Sequence, residues 1–424
     1  MNKQSIIKIC LLFPLLLMLQ SCATTAKKSL QKDTDLAINL NHFQHLYKEV
    51  ELDGKKAAIV HIYSEYPDYH YAIEPSEGFS CVDDVARAII MLSAYHKTDT
   101  ATKETLQQLK KMLEFVLFMQ NKNGYFNNFI WNDLSINTTY KTSVAELNWW
   151  SLRALWALET AYPIVEKDKM LASRIHRATE RLIKNIQRDL PVNDGKMDTS
   201  EGMDNPTWLP QKYAGDQAAI LLLGLLANYQ RTHEESLKEE IHALAEGIML
   251  MQRGSVEAYP YGAFMSWENL WHAWGNNQAY ALLKTGQFFN NQTYIDSALK
   301  EIDHFYPYLL KNGFAEAFWI KQENGQYQEI KRNEFPQIAY GIRPMVWATL
   351  EAWKITKKGK YDNLAKELSA WLLGQNIAKT RMYDASTGRC HDGIISTTAV
   401  NKNAGAESTI ECLLTLIKIQ EGGM

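Results

Sequence analysis

The sequence is short of what would mark a metalloprotein, a disulfide scaffold or a nucleic-acid binder. It has five cysteines in 424 residues; Cys10 and Cys22 fall near the start, leaving Cys81, Cys390 and Cys412 far apart. Three dispersed thiols make no disulfide framework. There is no CxxC, no HExxH and no close cysteine–histidine cluster, so no metal is called for. The formal net charge is −3, with lysine and arginine scattered. Without a basic field there is no source of affinity for a phosphate backbone, and nucleic acid is not an expected partner. No strand, glycine-rich loop and helix follow one another as in a nucleotide site, so no sugar-nucleotide domain and no cofactor are expected.

What is present begins with an address. Lys3 and Lys8 supply positive charge, Ile9 to Leu19 form an apolar run too short for a membrane span, and Leu19-Gln20-Ser21-Cys22 follows. This reads as a lipoprotein signal peptide over residues 1–21, with Cys22 the lipidated first residue and 22–34 a tether. The expected place is the cell envelope, anchored to a membrane through Cys22 and facing the periplasm or the exterior. No second long apolar run follows, and residues 35–424 are expected to form one domain.

From about residue 35 helical periodicity dominates, broken by loops rich in Gly, Pro, Asn and aromatic residues. One set of helices is apolar on several faces: 83–97, 143–161, 213–230, 269–288, 337–355 and 404–420. The other set is amphipathic: 35–50, 101–120, 166–189, 235–252, 292–311 and 360–375. The sets alternate, and the apolar helices begin 60 to 70 residues apart. A helix apolar around its circumference belongs inside, so the expected architecture is all-α: six inner and six outer helices closed into an (α/α)6 toroid. Short β-hairpins are expected in the loops, one from Phe314 to Ile330 turning at Asn324-Gly325.

In such a ring the inner helices start at one end, and five of those starts carry a carboxylate: Asp83-Asp84, Glu146, Asp216, Glu268 and Glu407, with Gln337 on the sixth. Acids in a first turn also cap the helix, but Ser, Thr or Asn would cap as well. Glycosidic cleavage needs a protonated acid and a second carboxylate, and a converging acidic face offers both. Asp83 and Asp84 are the first catalytic candidates, because adjacent acids ahead of an apolar run repel one another. Arg87, one turn on, can neutralise one of them. Glu407 is the other catalytic candidate, in the small-residue run Asn403-Ala404-Gly405-Ala406-Glu407, with Glu411 a turn deeper. Expected substrate contacts are Arg87, Glu146, Trp208, Asp216, Trp267, Glu268, His272, Arg343 and Asp392. The loop tryptophans, Trp319 among them, serve as sugar platforms, whereas Trp150, Trp156, Trp347 and Trp353 are assigned to the core.

The stretch Glu77-Gly78-Phe79-Ser80-Cys81-Val82-Asp83-Asp84-Val85-Ala86-Arg87-Ala88 resembles a signature of an α-toroid domain found free-standing or fused to bacterial glycosyltransferases. The runs Trp371 to Asn376, Tyr383 to Gly393 and Asn401 to Thr409 are similar to that domain's closing signature. More distantly, an early Asp pair and a late Glu resemble the layout of inverting six-hairpin glycosidases such as family 9 endoglucanases. That likeness implies Asp83 or Asp84 as base and Glu407 as acid.

The expected activity is therefore that of a carbohydrate-active enzyme, an inverting glycoside hydrolase on an oligo- or polysaccharide. The alternatives are a polysaccharide lyase or sugar epimerase, with Tyr213, His272 or Arg343 handling a proton, and a glycan-binding lipoprotein without chemistry. Replacing the acyl acceptor tests the address: Cys22→Ser is expected to abolish incorporation of labelled fatty acid and release the protein from the membrane fraction. Unchanged labelling would contradict it.

Overall fold

The computed structural model describes residues 35–192 and 194–422; the expected signal peptide, the tether and Cys22 lie outside them. Two kinds of helix alternate along the chain, and their side chains explain the difference. Helix α5 (Lys169–Asp189) buries Leu171, Ile175, Ala178, Leu182 and Ile186, which fall on one face, and turns its lysines and arginines outward. Helix α4 (Trp149–Val165) buries Trp150, Ser151, Leu152, Arg153, Ala154 and Leu155 in succession, so protein surrounds it.

The inner helices are α2 (Val82–Tyr95), α4, α6 (Gly215–Thr232), α8 (Gln278–Phe289), α10 (Ala339–Thr356) and α12 (Ala406–Glu421). Each packs on the next, and α12 packs on α2, which closes the ring. Outside them lie α3 (Lys103–Phe118), α5, α7 (Ser236–Leu250), α9 (Gln292–Asn312) and α11 (Gly359–Ser369). The architecture is an (α/α)6 toroid with short antiparallel β-hairpins, among them β10 (Ala317–Glu323) and β11 (Gln326–Asn333), joined through Asn324 and Gly325 at positive φ.

The sixth outer position departs from the expected helix over 35–50. A short α1 (Asn41–Leu46) packs on α12 and runs into the hairpin of β1 (Tyr47–Leu52) and β2 (Lys55–Val60), which covers α3. The reason is local. Asp53 and Gly54 both adopt positive φ, the turn that a two-residue hairpin requires, and the helical pattern yields to it. Two inner helices also start later than expected. Residues 143–148 form turns, with the Asn148 side chain accepting from Trp149 N at the helix start. Residues Leu270–His272 become strand β9, which extends the β10–β11 sheet.

Inner-to-outer connections are short, at 96–102, 166–168, 233–235, 290–291 and 357–358. Outer-to-inner ones are long, at 119–148, 190–214, 251–277, 313–338 and 370–405. All six inner helices therefore begin at one end of the ring, beneath the long loops, and finish at the other.

Close approach of α4 and α6 depends on Gly224. A Cβ there would lie 2.9 Å from Leu155 Cγ and 3.1 Å from Trp156 N. Gly224→Val is expected to destabilise the fold by about 1–3 kcal/mol through overpacking, read as a lowered midpoint of denaturant unfolding. A midpoint equal to wild type would contradict this packing.

Candidate active site

At the loop end the site is organised around Arg87. Helix α2 begins at Cys81, whose Sγ accepts from Asp84 N at 3.4 Å, so Asp83 and Asp84 fall in the first turn and Arg87 lies above Asp84. The buried Arg87 guanidinium donates Nη1 to Asp84 Oδ1 at 2.7 Å, Nη2 to Glu407 Oε2 at 2.7 Å and Nε to Glu411 Oε1 at 3.1 Å. Glu411 gives its other oxygen to Arg343 Nε at 2.6 Å, and Arg343 donates Nη1 to Asn277 Oδ1 at 2.6 Å. Arg153 donates to Asp83 and to the Tyr340 hydroxyl, the latter at 2.7 Å. The Tyr340 ring centroid lies 4.7 Å from Arg87 Cζ, 5.5 Å from Arg343 Cζ and 5.6 Å from Arg153 Cζ, so one aromatic ring serves three guanidinium groups.

A cleft of about 320 Å³ opens over this cluster, lined among others by Asp83, Asp84, Arg87, Tyr340, Asp392 and Glu407. That volume lies at the small end of small-molecule sites. Asp83, Asp84 and Glu407 are bound to arginines, and Glu77, also on its wall, accepts from the Tyr63 hydroxyl at 2.6 Å. Asp392 differs: its Oδ1 accepts from Gly405 N at 2.8 Å and from Ser408 Oγ at 2.6 Å, so a loop acid secures the start of α12. Gly405 itself must be small, because a Cβ would meet Ile62 O at 2.6 Å.

Protonation follows from burial. Glu407 is pushed up to about 7 by desolvation, with the Arg87 charge pulling the other way. It is deep but open: 40% of its side-chain surface faces the cleft. Burial also raises the Asp84 carboxyl against the pull of Arg87, and raises Asp392 against its hydrogen bonds from Ser408 and Gly405. Three guanidinium groups meet four carboxyl groups, Asp83, Asp84, Glu407 and Glu411, in this cluster. A proton on Glu407 makes the cluster neutral, the state that low-dielectric surroundings favour.

The structure brings Asp83, Asp84, Arg87, Asp392 and Glu407 into one cleft. The other expected contacts do not line it. Trp208 is buried, with its indole N–H on Ala243 O at 3.0 Å; the loop carrying it folds under α7, so the ring is core and not a platform. Arg343 is buried and holds Glu411. His272 and Asp216 pair at 2.9 Å beneath the surface, and His272 Nδ1 is engaged with Trp274 O at 2.8 Å. Glu146 precedes its helix and accepts from Asn148 Nδ2 at 2.9 Å. Trp267 is exposed beside Tyr213, 6.1 Å between ring centroids, and Glu268 follows it in a tight turn. Trp319 lies under Lys331 Nζ, 4.1 Å from its ring centroid. Arg153, Tyr340 and Asn128, whose Oδ1 accepts from Asp83 N at 3.1 Å, are site residues that sequence reasoning missed. The available signal for Arg153 was a charge inside a largely apolar helix, a placement rare without a partner.

Glu411 is the test of the cluster. Glu411→Leu leaves both Arg87 and Arg343 short of a buried counter-charge and is expected to destabilise the fold by about 3–5 kcal/mol, measured by denaturant unfolding. A loss below about 1 kcal/mol, the range of a surface pair, would contradict the shared-carboxylate arrangement.

No family model matches the chain, and no curated protein matches it. Among solved structures it is similar to cellobiose 2-epimerase from Bacillus thermoamylovorans, at 14% identity over 94% of this chain and 99% of that one, TM-score 0.60. It is similar to a sugar epimerase from a ruminal bacterium, at 10% identity over 92% and 98%, TM-score 0.63. It is also similar to a family 76 glycoside hydrolase from a bovine Bacteroides thetaiotaomicron strain, at 13% identity over 88% and 75%, TM-score 0.55. At these identities the likeness establishes the fold: the six-hairpin (α/α)6 toroid, a scaffold shared by carbohydrate-active hydrolases and epimerases.

Proposed function

We propose that the chain is an inverting glycoside hydrolase acting on an oligo- or polysaccharide, anchored at the cell envelope through Cys22. The observation that carries this reading is Glu407, a carboxyl held near neutrality in a cleft that also exposes the ion-paired Asp83. In the proposed reaction Glu407 gives its proton to the glycosidic oxygen as the bond to the anomeric carbon breaks. Asp83 takes a proton from a water that attacks that carbon from the opposite side. Asp83 is bound to Arg153 and Glu407 to Arg87, so separate guanidinium groups hold the two acids. Asp84 is a positioning residue that holds Arg87. In this reading Asp392, Asn128 and Arg87, which line the cleft, contact substrate hydroxyls.

Epimerisation is the second reading, favoured by the span of the likeness to the two epimerases. It would have to use groups other than those first considered, since Tyr213, His272 and Arg343 do not line the cleft. Tyr213 gives its hydroxyl to Asp198 at 2.7 Å.

The test is a panel of oligosaccharides read by product chromatography, with the first-formed anomer identified by NMR. Cleavage with inversion is expected, and Glu407→Gln and Asp83→Asn are expected to lower kcat by about 10²–10⁴-fold with the fold intact. Full activity in both variants would overturn the roles; an isomer without cleavage would favour the epimerase, and an unsaturated end a lyase.

The acid must carry its proton, so kcat/KM of the free enzyme is expected to fall as pH rises through about 7. Folding follows the same sign. The folded-state value lies above the unfolded one, so this group's contribution to stability is complete below about 4.5 and is lost as pH rises through about 7. A rate independent of pH between 6 and 9 would contradict the assignment of Glu407.

A further inference from the structure

Lysine and arginine lie scattered along the sequence, but the fold gathers some of them on one flank of the ring. Residues 103–122, helix α3 and the turn after it, and residues 168–189, helix α5 with its N-cap, carry ten lysine and arginine against five aspartate and glutamate residues, in a chain of formal net charge −3. Within α5 the surplus forms a stripe. Arg174, Arg177, Arg181, Lys184 and Arg188 follow one another at spacings of three and four residues, which stacks them along one side of the helix. Met170, four residues before Arg174, heads the same stripe and is 81% exposed. From Met170 to Arg188 the stripe is about 27 Å long.

For the helix alone the stripe is a cost, since like charges three and four residues apart repel. Only Arg188 stands in the last turn, where the macrodipole favours a cation. Arg174 is answered by Glu114 of α3 at 2.5 Å, Lys184 by Glu180 at 2.7 Å, Arg188 by Asp189 at 2.7 Å, and Lys110 of α3 by Asp168 at 2.9 Å. Arg177 and Arg181 have no carboxylate partner among the described residues: Arg177 donates to Ser173 Oγ at 2.6 Å, and Arg181 to the carbonyl of the exposed Lys122. A groove of about 570 Å³ runs beside them, with Leu117 and Ala178 in its lining next to the guanidinium groups.

The start of the described chain lies close to this flank. Strand β1 meets α3 through Glu49 and Lys111, and α3 meets α5 through Glu114 and Arg174. Thirteen residues separate Cys22 from Asp35, and a chain of that length spans at most about 45 Å. A lipid at Cys22 therefore keeps the α3–α5 face within reach of the membrane surface. We infer that this face is a docking surface for the anionic phospholipid headgroups of that membrane, an inference that takes its location from the proposed anchor. Guanidinium groups donate to phosphate oxygens in pairs, and each cation brought to an anionic surface strengthens binding. Met170 favours a lipid over a dissolved polyanion, because an exposed thioether chain enters a headgroup layer and gains nothing from a phosphate backbone. Since α5 lies on the outside of the ring, docking along it leaves both ends of the ring, and the cleft, open to solvent.

The test uses the purified chain from Ala23 onward, which lacks the acylated cysteine but keeps every described residue and so the closed ring. It is sedimented with vesicles of phosphatidylcholine alone and of equal parts phosphatidylcholine and phosphatidylglycerol. Binding to the anionic vesicles only is expected, weakening as sodium chloride is raised. Arg177→Glu with Arg181→Glu is expected to weaken it at least about tenfold, whereas the same change of charge on α7 and β10, Lys238→Glu with Lys321→Glu, leaves it within about twofold. Arg177→Gln with Arg181→Gln, with an expected loss of at least about threefold, serves should the reversal not fold. The inference is overturned if anionic vesicles are not bound, if both vesicles are bound equally, or if the α5 variants weaken binding no more than the control pair. Capture on immobilised heparin without vesicle binding would assign the face to a soluble polyanion and overturn it as well. None of these outcomes bears on the anchor at Cys22, which fatty-acid labelling tests by itself.

Discussion

The structure depends on a single guanidinium. Arg87 rises from the first inner helix and binds Asp84 of that helix together with Glu407 and Glu411 of the last. The seam where the ring closes is thus also the floor of the cleft. Burying these charges is unfavourable unless each finds partners, and removing one partner from a buried pair costs about 3–5 kcal/mol. The arrangement is therefore over-determined: Glu411 shares its carboxylate with Arg343, and Arg343 is fixed in turn by Asn277. The contact that would complete charge balance without a proton is missing, and burial leaves that proton on Glu407. Ring closure and the acid's protonation are two consequences of one network.

Connectivity gives the ring two unlike ends. Long outer-to-inner connections crown the end where inner helices begin, and short links leave the other end open. Between the two ends Trp347 packs against Trp156 and Tyr280, and Arg343 Cζ lies 4.9 Å from the Trp347 ring and 5.5 Å from that of Tyr340. One end concentrates unequal charge around an accessible carboxyl, and the other sets Lys97 and Lys354 beside the buried ion pairs of Glu159 and Glu351. Unequal charge suits proton transfer.

Much of this was legible in the chain. The contrast between Trp149–Val165, buried on every side, and Lys169–Asp189, buried on one face, is written in their periodicity, and alternation of such helices implied the ring. Asp83, Asp84, Arg87 and Glu407 stood in recognisable runs. What was not legible depended on distant partners. Arg153 reaches Tyr340 across 187 positions, and nothing local to either reports the contact. Trp208 looked like a loop residue, and only the fold of that loop under Ser236–Leu250 makes it core. The Asp53-Gly54 turn was a local signal, outweighed by the amphipathic pattern over 35–50 that precedes it.

The cluster around Arg87 is expected to hold a proton on Glu407 up to a pH of about 7. The most direct measurement is the side-chain carboxyl titration of Glu407, followed by carbon NMR on selectively labelled protein and assigned by comparison with Glu407→Gln. The account requires a midpoint at about 7. A midpoint near 4.5, the value of an unperturbed glutamate, would contradict it.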